Sequence, residues 1–374
     1  MLLVGLGALF LYAASLAMFY PMCTWDAVET WGYKARVFYL LRAVDLSSMD
    51  AHNYYPNLVP LLMSFLYLCL GGADDQLVKG LFPLWGAVLL TLLYALLLRS
   101  GLGRRRALGV TAVLALNGVI FIEHLSMAYA DLALAYFALG AAGLCYLWLA
   151  EEAPPGSLPL LACFMAGLAW CKFEGPPLAA TIILAGLLTL LWLRPPLLRR
   201  RLRQLIWPLM GLAAGYLPWR LFMAAHNIEI GRDHILGFYP HQFWGAIPHL
   251  AGALFHPYYF GFLWPAVFLA FILAGKRLWT SPFLFLTLFI LGNLLAVLLA
   301  YGVAPTSPEE FPRYVRATLD RLLLHLTPAA ALLVGLAVKD AATIAPATGQ
   351  EVRFPKERPP AREAEAPAVR GVPA

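Results

Sequence analysis

Apolar runs of close to twenty residues recur along this chain, and they limit its fold more than any other feature. About 20 apolar residues in a helix cross a hydrocarbon core about 30 Å thick. Stretches such as LFPLWGAVLLTLLYALLL, residues 81–98, reach that length. Hydrophobic residues make up 61% of the 374, charged residues 13%, and the mean hydropathy is +0.72. A soluble domain carries about 25% charged residues. The chain is therefore expected to be an all-α, polytopic membrane protein.

Ten spans are expected. They are Met1 to about Tyr20 (an uncleaved anchor), Lys79–Leu98, Ala107–Glu123, Leu132–Ala150, Leu158–Cys171, Pro176–Leu193, about Leu205–Ala224, Pro257–Ala274, Ser281–Ala300 and Arg321–Val338. The run Asn57–Leu70 is too short, since fourteen helical residues cover only about 21 Å. It reads as a helix that dips into the membrane and returns. Residues 1–338 then form one membrane domain. The segment 339–374, rich in Pro, Ala and charge, reads as a disordered cytoplasmic tail.

More than half of the 27 Lys and Arg residues lie in the clusters Arg99–Arg106, Arg194–Arg203 and Lys276/Arg277 and in the tail. With ten spans these all fall on the cytoplasmic side, as the positive-inside rule requires. Basic residues confined to such short loops argue against nucleic acid as a partner. The five cysteines form no CxxC pair and read as apolar residues in or beside spans. No Walker loop, GxGxxG fingerprint or GxSxG elbow is present in a suitable context.

The opposite, outer side collects the remaining polar residues, above all in YPMCTWDAVETWGYKARVFYLLRAVDLSSMDAHNYYPNLVP, residues 20–60. As an α-helix from about Thr24, this stretch places Asp26, Glu29, Thr30 and Tyr33 on one face. Asp26 with Glu29 suits a site where a carboxylate takes a proton from an attacking hydroxyl, or holds a metal that polarises it. The plainer reading is a surface acid paired with Lys34. Asp131 opens a span in AYADLALAYF, as a second acid of the site or as a simple helix cap. Lys172 and Glu174 interrupt a hairpin of two spans, where ionisable residues are costly unless functional or paired. Arg313, Arg316 and Arg321, with Arg220 and Arg232, offer guanidinium forks for a phosphate. His226, His234, His241, His249 and His256 lack metalloenzyme spacing and read as loop histidines.

The order and spacing of these motifs resemble the GT-C membrane glycosyltransferases, specifically the family of protein O-mannosyltransferases and lipid A aminoarabinose transferases. TWDAVETWGYKA and HNYYPNLVPLL match the first outer loop with its essential acid and juxtamembrane helices. YADLALAYF matches the second outer loop, and Lys172-Phe173-Glu174-Gly175 matches a later K-x-E-G turn. The likeness runs from Met1 to about Arg220. The Asp-Glu pair of the mannosyltransferases reads Asp26-Ala27 here, and the His-Pro-Pro of many members reads Tyr55-Pro56-Asn57.

The resemblance implies an enzyme of the bacterial inner membrane whose active site faces outward. It would take a sugar from a polyprenyl-phosphate donor and pass it to a lipid, glycan or protein acceptor. Asp26, or Glu29 one turn on, would be the base, and Asp131 would orient the reacting groups. Lys172, Glu174, Lys34, Tyr129, Arg313 and Arg321 would bind substrate. No cofactor is required, and a divalent metal is compatible with the site without being demanded by it. The rival expectation is a non-enzymatic transporter of a lipid-linked or small polar solute, which predicts inverted repeats and midplane charges. Neither stands out in the sequence.

Overall fold

The structure, a computed structural model, describes residues 2–344 apart from 48, 50–51, 117 and 231–236. Every regular element among the described residues is helical. In chain order they begin with α1 (Leu2–Phe19), a π-helical turn (Ala27–Gly32) running into α2 (Tyr33–Leu41), α3 (Leu58–Leu70), α4 (Asp75–Lys79) and α5 (Leu81–Arg99). Next are α6 (Arg104–Ala115), α7 (Gly118–His124), α8 (Asp131–Leu149), α9 (Ser157–Cys171), α10 (Gly175–Leu193), α11 (Leu198–Gln204) and α12 (Ile206–Ala225). The last are α13 (Pro240–Phe255), α14 (Pro257–Phe260), α15 (Leu263–Ala274), α16 (Arg277–Thr280), α17 (Phe283–Val303) and α18 (Phe311–Ile344).

Among the described residues, six helices are long and apolar enough to cross a membrane: Leu2–Phe19, Asp75–Arg99, Asp131–Leu149, Gly175–Leu193, Phe283–Val303 and Phe311–Lys339. Leu58–Leu70, Ser157–Cys171 and Leu263–Ala274 are apolar but shorter. Six of the ten spans expected from sequence thus correspond to helices of full length, and the expected spans Leu158–Cys171 and Pro257–Ala274 contain shorter apolar ones. The expected span Ala107–Glu123 divides into α6 and α7, with Gly118 at φ +69° between them. A Cβ at Gly118 would meet the carbonyl oxygens of Tyr258 and Tyr259, so the break lets two backbones touch. The expected span Pro257–Ala274 divides at Gly261, which takes φ +53° and ψ −127°. Helix α18 runs past the expected domain boundary at 339 to Ile344, and Lys339 Nζ donates to the Ser100 carbonyl at 2.6 Å. The tail beyond 344 lies outside the described residues.

Helix α8 is the axis of the molecule and packs against α5, α9, α10 and α18. Its buried residues include a run of small ones, among them Ala133, Ala135, Ala138, Gly140, Ala141, Ala142 and Gly143, between larger apolar side chains. Lipid supplies no hydrophobic drive between helices, so close packing of small residues has to hold them together. The same logic joins α12 to α9. A Cβ at Gly211 or Gly215 would strike the backbone of Ala162 or Ala166 respectively, so this GxxxG pair sets the distance between the two helices.

The two ends of the bundle differ in chemistry. At one end, Arg99 Nε donates to the Glu152 carbonyl at 2.9 Å, and Arg201 reaches the Trp148 and Leu149 carbonyls at 3.2 Å. Cations there face the C-terminal ends of α5 and α8, where the helix dipole favours them. The other end carries the C-termini of α1, α9 and α12 and the N-termini of α8 and α10. The segment between α1 and α3 seals part of that end: Phe38, Leu46, Met49 and Tyr54 pack with Trp219 and Met223 of α12.

Candidate active site

Four separate elements bring ionisable side chains to this second end. Asp131 is the first residue of α8 and is fully buried. Its side chain does not cap its own helix. Instead Oδ1 accepts from Lys172 Nζ at 2.9 Å and from His325 Nε2 at 2.8 Å. Lys172 leaves α9 in an extended conformation, which turns its side chain inward, and it pairs a second time with Glu174 Oε1 at 3.0 Å. Pro176 and Pro177 in the first turn of α10 follow this short link, where a missing N–H does no harm.

Arg321 of α18 connects this buried group to the outer loop. Its Nη2 donates to Asp26 Oδ2 at 2.5 Å and lies 3.6 Å from Asp131 Oδ2. Its guanidinium sits over the Tyr129 ring, 4.8 Å from the centroid. Asp26 precedes the π-helical turn and makes no side-chain cap, so its carboxylate is left to face Arg321. The plain pairing of Asp26 with Lys34 is not what forms.

An aromatic wall stands beside the charges. Tyr55 stacks on Phe173 at 5.8 Å with an interplanar angle of 10°, and Tyr54 meets the same ring edge-on at 5.6 Å. Trp31 and His52 pack on Tyr55, and Trp219 Nε1 donates to the Tyr54 carbonyl at 2.9 Å. Lys34 lies buried beneath this loop, with Nζ donating to the carbonyls of His52 at 2.6 Å and Tyr55 at 3.4 Å. Burial without a carboxylate pushes its pKa down to about 7. Burial, the largest influence, would raise the Glu174 carboxyl, but Lys172 and His325 beside it together hold it below its ordinary value.

The structure therefore gathers Asp26, Asp131, Lys172, Glu174, Tyr129 and Arg321, with Lys34 one layer below. It does not bring in Glu29 or Arg313. The π-helical turn bonds i to i+5 and is wider than an α-turn, so residues three apart no longer stack. Glu29 consequently points to the exposed side, while Thr30 and Trp31 are buried. Arg313 and Arg316 are exposed on the outer turns of α18, and Arg220 stacks over Tyr216 instead. Arg232 and His234 lie outside the described residues. His226, His241 and His256 are exposed, and His249 is half-buried on α13.

His325 is the residue that sequence reasoning missed. It sits one turn beyond Arg321 in RLLLH, an ionisable side chain within an apolar run, and that spacing was the available signal.

Within this cluster, three buried polar atoms have no hydrogen-bond partner among the described residues: Asp131 Oδ2, Glu174 Oε2 and Arg321 Nε. Buried polar atoms are rarely left so, and in a cleft they mark positions that a ligand or water completes. Asp26 retains Oδ1 as a free acceptor, and Arg321 and Lys172 present cations to an anion. Among the described residues no three His, Cys, Asp or Glu side chains converge to hold a metal ion. The carboxylates already face cationic side chains, so this donor set does not fit a metal.

No protein-family model matches the sequence, and no curated protein matches it. The fold is similar to that of solved membrane glycosyltransferases. ArnT from Cupriavidus metallidurans in the apo state superposes with a TM-score of 0.63 at 14% identity, over 90% of this chain and 59% of that one. The same protein bound to undecaprenyl phosphate gives 0.59 at 15% identity, over 90% and 60%. The archaeal oligosaccharyltransferase AglB from Archaeoglobus fulgidus, in complex with an inhibitory peptide and a dolichol-phosphate, gives 0.54 at 12% identity, over 90% and 50%. The chain thus spans about half to three-fifths of these structures, and at such identities the likeness is one of fold.

Proposed function

We propose that this protein is a membrane glycosyltransferase that moves a sugar from a polyprenyl-phosphate donor to a lipid, glycan or protein acceptor. In this reading the shorter helices complete ten passages through a bacterial inner membrane, and the acidic, aromatic end faces outward. The observation that carries it is the bridge Asp26–Arg321–Asp131, with Lys172 behind it. A proton acceptor at the membrane edge there adjoins cations suited to a lipid phosphate. The similar folds solved with undecaprenyl phosphate and with a dolichol-phosphate agree with a donor of that class.

Each group has a distinct part in the reaction. Asp26 takes the proton of the acceptor hydroxyl through Oδ1 as the oxygen attacks the anomeric carbon. The bond from that carbon to the phosphate oxygen breaks, and the electron pair leaves with the polyprenyl phosphate. Arg321 and Lys172 stabilise the departing phosphate. Asp131 stays ionised between its cations and keeps Lys172 and His325 in place.

Asp26→Asn preserves shape but removes the proton acceptor. Transfer of labelled sugar from polyprenyl phosphate in purified membranes should fall by roughly 10²–10⁴-fold. Wild-type transfer at wild-type expression would overturn the assignment and favour a transporter.

A further inference from the structure

Arg321 is already committed to protein partners. It donates to Asp26 at 2.5 Å, lies 3.6 Å from Asp131, and rests on the Tyr129 ring. The three carboxylates Asp26, Asp131 and Glu174 outnumber the two permanent cations, Arg321 and Lys172. An incoming phosphate would add another negative charge to this group, so some cation has to change partner. Lys172 is poorly placed to do so, because it is 2% exposed and holds Asp131 and Glu174 together. Arg321 is 19% exposed, pairs with the more accessible Asp26, and keeps Nε without a partner. A guanidinium held over an aromatic ring can shift toward a new partner and keep that cation–π contact.

Building on the donor class just given, we infer that Arg321 is a latch operated by the donor. It pairs with Asp26 while the donor is away and passes to the donor's phosphate on binding. That exchange frees both oxygens of Asp26 to accept a hydrogen bond from the acceptor hydroxyl. Asp26 is then fully unpaired only when a donor is seated, which couples its engagement with the acceptor to the presence of the sugar. A partner exchange of this kind lowers apparent donor affinity by the cost of breaking the first pair.

The test is binding of undecaprenyl phosphate, which carries no sugar, to the purified full-length protein in lipid nanodiscs. Asp26→Asn should bind it about three- to tenfold more tightly than wild type, the scale of a partly exposed ion pair. In an Arg321→Gln background the same Asp26→Asn change should give no gain. Equal or weaker binding by Asp26→Asn overturns the latch. So does a gain that persists with Arg321→Gln, which would reflect simple charge repulsion. If neither wild type nor any variant binds undecaprenyl phosphate, the donor class itself is wrong and the latch falls with it. Asp26→Ser removes the same charge and serves as the second variant if Asp26→Asn does not fold.

Discussion

Lys34 illustrates what a single buried charge does to a protein of this kind. Its ammonium is held by two main-chain carbonyls, and burial lowers its pKa to about 7, against 10.5 for the exposed side chain. The unfolded chain therefore binds this proton more readily than the folded one. Between about pH 7 and pH 10.5 stability should rise with pH, by up to about 1.4 kcal/mol per unit, and below pH 7 this contribution should level off. Melting temperatures of wild type and Lys34→Met across pH 6–10 check this. The rise should be present in the wild type and smaller in the variant, and parallel curves would show that Lys34 titrates normally. The same residue ties the Tyr54–Tyr55 segment down over Phe173, so its protonation state bears on the wall of the site.

Among the elements, the π-helical turn at Ala27–Gly32 and the α9–α12 contact do most to shape the active end. The π-helical turn aims Asp26 inward and Glu29 outward, although both read as partners on an ordinary helix. The glycines of α12 bring that helix against α9, and Trp219 on the same helix reaches the outer loop. Gly215→Val would press a branched side chain into the Ala166 backbone. Overpacking of this kind costs about 1–3 kcal/mol. The variant should melt below wild type in detergent and should quench Trp219 differently, because its indole would lose the Tyr54 carbonyl. An unchanged melting temperature would show that α9 and α12 are free to separate.

On the scale of the whole molecule, the proposed function turns the acidic end outward and the arginine-rich end toward the cytoplasm. In a cysteine-free background, single cysteines at Ser47 and Ser307, both exposed at the active end, should react with a membrane-impermeant thiol reagent in intact cells. A cysteine at Gly103, exposed at the arginine end, should react only after the membrane is opened. Labelling of Gly103 with protection of Ser47 would invert the molecule and put the site in the cytoplasm.

The membrane class and the segregation of charge were legible in the sequence, because lipid acts on each segment locally. A run such as residues 81–98 must be apolar wherever it packs, and a cluster such as Arg99–Arg106 is costly to carry across a bilayer. The odd charges at Asp26, Asp131 and Lys172 were visible for the same reason, since ionisable residues beside spans are expensive. Which of them meet was decided by tertiary structure alone. Arg321 reaches Asp26 across 295 positions, and His325 joins Asp131 across 194, separations over which no helical period carries information. The break in the run Ala107–Glu123 likewise depends on Tyr258 and Tyr259 lying against Gly118. Glu29 left the site because a π-turn replaced an α-turn, and a pattern of i,i+3 spacing assumes the very geometry that the packing around Trp31 and Gly32 overrode.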